Sequence, residues 1–242
     1  MTDPVYVIPD IHGQKAKLDA ALALIDGTHG RDAKIVFLGD YVDRGPDSRG
    51  VIETLMQGID AGRDWVPLRG NHDQLLLDFL DSGNLRPDRL RAGLTWLHPR
   101  MGGTETLASY GVRAGEDDPG LAAARAAVPQ SHRQFIASLP YWHATDTLLF
   151  IHAGIRPGIA LADQDPDDMI WIREPFLHDP RDHGLLVVHG HTPVDWPEHH
   201  GNRVALDGGA GWGGALHVAM FEGRKVWLLG EDGPVLLHPP GR

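Results

Sequence analysis

The 242-residue chain is long enough for one sizeable core, and its 42% hydrophobic and 23% charged residues are the proportions of a water-soluble globular protein. A formal net charge of −11 disfavours nucleic-acid backbones and anionic membranes as partners. The absence of cysteine excludes disulfides and thiolate metal sites, whereas 15 histidines leave an imidazole site open.

Met1 to Val5 contain no basic segment of a leader, and the longest apolar runs, Leu148–Ile151 and Leu185–Val188, are too short to cross a bilayer. A cytoplasmic protein is therefore expected. Along the chain one pattern recurs: a short β-rich apolar run ends in a cluster of Gly, Asp, Asn or His. Val5–Ile8 leads into Asp10-Ile11-His12-Gly13, and Lys34–Leu38 into Gly39-Asp40. Trp65–Leu68 leads into Arg69-Gly70-Asn71-His72-Asp73, Leu148–Ile151 into His152, and Leu185–Val188 into His189-Gly190-His191. Such runs read as buried strands, and the loops at their ends are where sheets with parallel strands place ligands. Helical spacing appears between them, over Lys15–Asp26, Ser48–Gly58 and Gln74–Leu80. From about Pro87 to Leu139 the chain reads as short helices broken by Gly and Pro. Asn202–Asp207, Gly214–Glu222 and Lys225–Gly230 read as closing strands. The expectation is an α/β fold of two packed mixed β-sheets, a β-sandwich flanked by helices. It forms one domain over 1–242, with a small helical cap inserted at about 74–143.

The clusters carry the chemistry. Asp10 and His12 flank Ile11, so in an extended segment both face one way and suit one divalent cation. The two oxygens of Asp40 suit a bridge between cations about 3.5–4 Å apart, the separation used for in-line phosphoryl displacement. Arg44 offers a planar fork for phosphate oxygens. Asn71 can ligate through its amide oxygen. His72, beside it, points elsewhere and suits acid–base work, with Asp43 on the neighbouring loop to orient it. Asp73 reads as a carboxylate at a helix N-terminus. His152 and His191 complete a set of two Asp, one Asn and three His, which suits Mn²⁺, Fe or Zn²⁺.

The ordered set Asp10-x-His12-Gly13, Gly39-Asp40-x-Val42-Asp43-Arg44-Gly45, Gly70-Asn71-His72-Asp73, His152 and Gly190-His191 resembles the metal-dependent phosphoprotein phosphatase superfamily, the calcineurin-like metallophosphoesterases. Ile170-Trp171-Ile172-Arg173-Glu174 and Asp207-Gly208-Gly209-Ala210 resemble its bacterial and phage-type serine/threonine phosphatases. The resemblance implies two divalent ions, with Mn²⁺ the leading candidate. Asp10, His12 and Asp40 would hold the first, and Asp40, Asn71, His152 and His191 the second. It implies His72 as general acid oriented by Asp43, and Arg44, Arg173, Arg69 and Asn71 around the phosphate. Pro9 and Gly208 depart from the family pattern, and His189 reads as a core histidine behind His191.

The function expected from these readings is hydrolysis of phosphate monoesters in phosphoserine or phosphothreonine proteins. The alternative is symmetrical cleavage of diadenosine tetraphosphate, and a third reading is a non-catalytic binding module. Asp43 and the acidic net charge favour the monoester reading, and Trp96, Trp142 and Trp212 read as packing residues. The partners would be a phosphorylated protein or a small phosphoester, and a monomer suffices for either.

Overall fold

The computed structural model describes residues 3–230 and 232–240. The first sheet contains β1 (Val5–Ile8), β2 (Lys34–Phe37), β3 (Trp65–Pro67), β9 (Val218–Glu222), β10 (Lys225–Leu229) and β11 (Val235–Leu237), in the order β11-β10-β9-β1-β2-β3. The second contains β4 (Trp142–Ala144), β5 (Leu148–Ile151), β6 (Leu186–His189), β7 (Glu198–His199) and β8 (Arg203–Ala205), in the order β4-β5-β6-β8-β7. Both sheets are mixed. β1, β2 and β3 run parallel, with Ile8 opposite Phe37. β5, β6 and β8 also run parallel, with Phe150 opposite Val188 and His189 opposite Ala205.

The period-2 geometry of a strand explains why these runs are apolar without interruption: both faces are buried. Val5 and Val7 of β1 face the space between the sheets, where they meet Val36, Phe150, Val188, Val204 and Phe221. Tyr6 and Ile8 face outward onto helices. In the second sheet Leu148 and Phe150 point inward. Leu149 and Ile151 point out onto Met169, Ile172 and Phe176.

Helices α1 (Lys15–Thr28), α2 (Ser48–Asp60) and α3 (Asn71–Ser82) cover the outer face of the first sheet. α1 buries Leu18, Ala21 and Ile25, spaced to lie on one side. The Asp47 carboxylate caps α2 by accepting the Gly50 N–H at 2.8 Å. α3 begins at Asn71, three residues before the start that apolar spacing indicates. The cause is Gly70 in an extended N-cap with its N–H donated to Asp73 at 2.9 Å. α4 (Gly103–Ser109), α5 (Leu121–Ala127) and α6 (Gln130–Ser138) pack against α2 and α3. Their buried Leu107, Ala124 and Ile136 join the same core as Phe37 and Val51, so this segment continues the helical layer. The short α7 (Pro166–Trp171) covers the second sheet. Among the described residues no helix is long and apolar enough to cross a membrane.

Candidate active site

All five clusters lie at one edge of the sandwich, at the C-terminal ends of the parallel strands. Backbone bonds tie their loops together. Ile11 and His12 donate to the Asp40 carbonyl at 3.1 and 2.7 Å, and Gly190 donates to the His152 carbonyl at 2.9 Å. Asp73 accepts N–H bonds from Gly70, Asp40 and Tyr41, each at 2.9 Å, and so locks the second loop to the third. Among the described residues, the non-glycine residues with left-handed backbone are His12, Asp40, Asp43, Arg44 and His191. Left-handed φ disfavours a side chain, and such residues concentrate where function over-determines the backbone. Gly190 lies so close to the Asp10 carboxylate that a Cβ there would collide with it.

The side chains converge in two overlapping groups, His12–Asp40–His72 and Asp40–His152–His191, each with donor atoms within 4.8 Å of one another. All five residues are buried. Their hydrogen bonds decide what they can bind. His12 Nδ1 lies 2.9 Å from the Val42 carbonyl and His152 Nδ1 lies 2.9 Å from the Leu38 carbonyl. Each Nδ1 must carry the proton, so each Nε2 presents a lone pair. His12 Nε2 faces Asp40 Oδ2 at 3.4 Å. His152 Nε2 faces Asn71 Oδ1 at 2.9 Å and Asp40 Oδ1 at 3.5 Å. His191 Nδ1 also lies 2.8 Å from Asn71 Oδ1, while its buried Nε2 has no protein partner. Lone pairs and carboxylate oxygens aimed at one another could hold a cation, and neutral imidazole with oxygen donors is a borderline-metal set. Burial pushes all of these histidines below the usual imidazole range, His152 to about 3, which keeps them neutral as ligation demands. Burial, then neighbouring carboxylates, pushes Asp10 and Asp40 well above the usual range, a cost that divalent cations offset.

Asp10 is placed differently from the rest. It belongs to neither group of three, and both its oxygens accept the His191 N–H, at 3.0 and 3.1 Å. It remains close enough to Asp40 for the two charges to raise each other's cost.

His72 and Asp43 form a buried pair, with His72 Nδ1 2.6 Å from Asp43 Oδ2. Burial lifts Asp43 to about 8 and depresses His72, so the pair holds its proton through neutrality. Two residues that sequence reasoning did not assign to the site fix Asp43. Trp96 Nε1 donates to its Oδ2 at 2.8 Å, and Thr106 Oγ1 donates to its Oδ1 at 2.7 Å. Both come from the helical insertion, beyond the reach of any local motif.

Arg44 donates to His72 Nε2 at 2.8 Å and reaches the His12 ring as well. Arg173 also lines the cleft. Arg69 does not. Both terminal nitrogens of its guanidinium are engaged, by Gln74, Tyr141 and the Ala137 carbonyl, and it lies over the Tyr141 ring at 4.9 Å, away from the cleft. His189 is buried behind the site, with Nδ1 against the Gly190 carbonyl and Nε2 toward Arg203.

The groups open into a cleft of 510 Å³. Besides Arg44 and Arg173, its walls carry Arg89, Arg91 and Arg100, together with Trp171 and Trp212. Among the described residues no carboxylate pairs with Arg44, Arg91, Arg100 or Arg173, whereas Arg89 is held by Asp167 and Asp168. Arg86, Arg89, Arg91 and Arg100 fall within fifteen residues of an acidic chain, a compositional signal that could have marked this wall. Trp96 is core and Trp142 lies away from the cleft, but Trp212 stands at its mouth, 55% exposed, beneath the Arg44 guanidinium at 4.5 Å.

Comparison with known proteins places this geometry in a wider group. A family model described as calcineurin-like phosphoesterase matches residues 3–225. The chain is 27% identical over 212 residues to the asymmetrical bis(5'-nucleosyl)-tetraphosphatase PrpE of Anoxybacillus flavithermus, covering 80% of this chain and 77% of the relative. It is 29% identical over 196 residues to the symmetrical bis(5'-nucleosyl)-tetraphosphatase of Paracidovorax citrulli, covering 80% of this chain but 59% of the relative. Among solved structures, one described provisionally as a diadenosine tetraphosphatase superposes with a TM-score of 0.67 at 21% identity, covering 98% of this chain and 95% of the other.

Proposed function

The chain belongs to the calcineurin-like phosphoesterase family, and on that footing we propose that it hydrolyses dinucleoside polyphosphates, with diadenosine tetraphosphate as the model substrate. The observation that carries this choice is the arginine wall. A phosphomonoester engages Arg44 and Arg173 and leaves Arg91 and Arg100 with nothing to bind. A tetraphosphate chain spreads charge over several phosphoryl groups and matches arginines spread along a cleft. The net charge of −11 does not oppose this, because the local distribution of charge sets the field inside a cleft. The activities in the names of the two relatives point the same way.

In this reading Asp10, His12 and Asp40 would hold one divalent ion, and Asp40, Asn71, His152 and His191 would hold a second. When bound, such ions supply Lewis-acid polarisation of phosphoryl oxygens and lower the pKa of water. The remaining work falls to the protein. Arg44 and Arg173 grip the oxygens of the reacting phosphate, and Arg91 and Arg100 hold the rest of the chain. When substrate binds, Arg44 turns from His72 Nε2 onto the phosphate; Nε2 of the His72–Asp43 pair in its protonated form then carries a proton and gives it to the departing oxygen, while Asp43 holds the ring in place through Nδ1. A departing nucleotide phosphate is a stable anion and needs this proton less than a serine or threonine alkoxide does, but Asp43 positions the ring of His72 whichever bond breaks and so does not decide between the substrate classes. Arg69 is left out of the phosphate site and braces the third loop against α6.

The test is a matched comparison with the purified, Mn²⁺-loaded protein, its products separated by chromatography. Diadenosine tetraphosphate should give nucleotide products with a higher kcat/KM than phosphate release from phosphoserine or phosphothreonine peptides. The opposite order would return the assignment to a protein phosphatase.

A further inference from the structure

A second pocket, of 480 Å³, adjoins the arginine-lined cleft and shares Pro193 and Trp212 with it. Its other walls include Trp196, His217, Asp195 and the Gly208–Gly209 backbone. The two regions are chemically opposite. Five arginines line the cleft, whereas the second pocket has no lysine or arginine in its lining. It therefore suits an uncharged ring placed next to an anion, not a further phosphate.

Trp196 and Trp212 are 56% and 55% exposed, more than any other tryptophan among the described residues. Leaving that much indole in water forgoes burial worth about 25 cal/mol per Å² of apolar surface, so it calls for a reason. Neither ring is on a loose segment. Trp196 meets the His217 ring edge-on, with centroids 4.9 Å apart and planes at 71°. Gly208 makes this possible, since a Cβ there would lie 2.6 Å from His217 Cδ2 and displace the ring. The turn bearing Trp212 is held by Lys17, whose Nζ donates to the Ala210 and Gly214 carbonyls at 3.0 and 2.7 Å. The Val194 N–H is bonded to the Asp207 carbonyl at 2.9 Å, which fixes the other wall. A rigid aromatic platform presented to solvent is the usual means of stacking a nucleobase, and Asp195 at the rim offers an acceptor for a ring amino group.

We infer that the pocket bounded by Trp196, His217, Trp212 and Asp195 is a purine-base subsite, which seats one nucleoside end of the substrate while the polyphosphate lies along the arginines. The inference rests on the dinucleoside polyphosphate reading above and adds the residues that recognise the base.

The experiment compares wild type, Trp196→Ala and Trp196→Phe in the metal-loaded protein. KM and kcat are measured for diadenosine tetraphosphate and for inorganic tetraphosphate, which has the same charged chain and no base. ATP binding is measured separately by calorimetry. Stacking of one base predicts a rise in KM for diadenosine tetraphosphate of about tenfold or more in Trp196→Ala, with substantial recovery in Trp196→Phe. ATP affinity should fall by a similar factor, and the constants for inorganic tetraphosphate should stay within about twofold of wild type. An unchanged KM for diadenosine tetraphosphate with unchanged ATP affinity would overturn the subsite while leaving the substrate assignment standing. Equal losses on both substrates would also overturn it, because Trp196 would then be bracing the cleft. If the wild type fails to cut diadenosine tetraphosphate yet binds ATP through Trp196, the substrate assignment falls and the base site stands.

Discussion

At the floor of the cleft, Asp40, Asn71, His72, His152 and His191 are buried, cross-linked through loop backbones and held partly in left-handed conformations. Along the mouth, Arg91, Arg100, Arg173 and Trp212 stand in solvent on loops and a short turn. The bonds of the floor restrain its donor atoms, which is what a reacting centre needs. On the proposed function the mouth takes the charged, extended part of the substrate. On the proposed function the difference separates chemistry from choice of substrate: damage to the donor groups around Asp40 should affect every phosphoester alike, damage to His72 should scale with how much the leaving group needs a proton, and damage to the mouth should change preference among substrates.

The strongest test of that division is at the floor. Asp40→Asn should reduce hydrolysis of every substrate beyond the ~10²–10³-fold loss that removal of one electrostatic partner causes, because Asp40 faces both groups of donors. Chelation should give the same uniform loss and Mn²⁺ or another transition metal should reverse it. Undiminished activity in verified metal-free protein would break the comparison at its base.

Next in size is His72→Asn. Its turnover on phosphoserine peptides should fall by about 10²–10⁴-fold, the usual contribution of general acid catalysis. The loss on p-nitrophenyl phosphate should be smaller, since that leaving group needs little protonation. Metal content by atomic absorption should remain near the wild-type value. His72 lies within reach of His12 and Asp40, so a variant that arrives metal-depleted would make it a ligand and not the acid. Trp96→Phe should show a milder form of the same defect, as it removes one of the bonds that hold Asp43.

A smaller effect concerns stability, and it arises at the buried histidines in and behind the floor. Burial lowers His152 and His189 to about 3 in the folded chain. At these two side chains the unfolded chain binds more protons between about pH 3 and 6.5, so their contribution to stability falls as pH drops through that window, while Asp43 and Asp73, raised to about 8 and about 6, contribute with the opposite sign. For a single such histidine the loss reaches about 2 kcal/mol at pH 5. Urea unfolding of the metal-free wild type and His189→Gln at pH 7 and pH 5 measures it as the difference between their pH dependences: the variant should lose less stability, or gain more, on going to pH 5 than wild type does, whereas Arg91→Ala should follow wild type.

Most of the floor was legible in the sequence because it is written locally. Asp10-x-His12, Gly39-Asp40 and Gly70-Asn71-His72 each sit directly after a run of buried strand residues, and parallel pairing brings those strand ends to one edge without further information. The sandwich was legible for the same reason, since uninterrupted apolar runs indicate burial on both faces. Short strands were not. β4 and β7 have three and two residues and carry no alternation to read. The mouth was hidden for a different reason. Arg91, Arg100, Trp96 and Thr106 reach the site only through the packing of the helical insertion, which no spacing rule specifies. Summing the charge over the whole chain concealed a basic cleft inside an acidic protein. Arg69 illustrates the converse: its place beside Gly70-Asn71 suggests phosphate, but in the structure its terminal nitrogens bond Gln74, Tyr141 and the Ala137 carbonyl of α6.

The central claim is that the mouth selects a polyphosphate chain while the floor performs the hydrolysis, and one ratio tests it most directly. It is kcat/KM for diadenosine tetraphosphate divided by kcat/KM for p-nitrophenyl phosphate, measured in wild type and in the Arg91→Ala/Arg100→Ala double variant. Charged hydrogen bonds worth ~1.5–3 kcal/mol each predict a fall in the ratio of about tenfold or more, with p-nitrophenyl phosphate turnover nearly unchanged. A ratio that stays at the wild-type value would contradict the account.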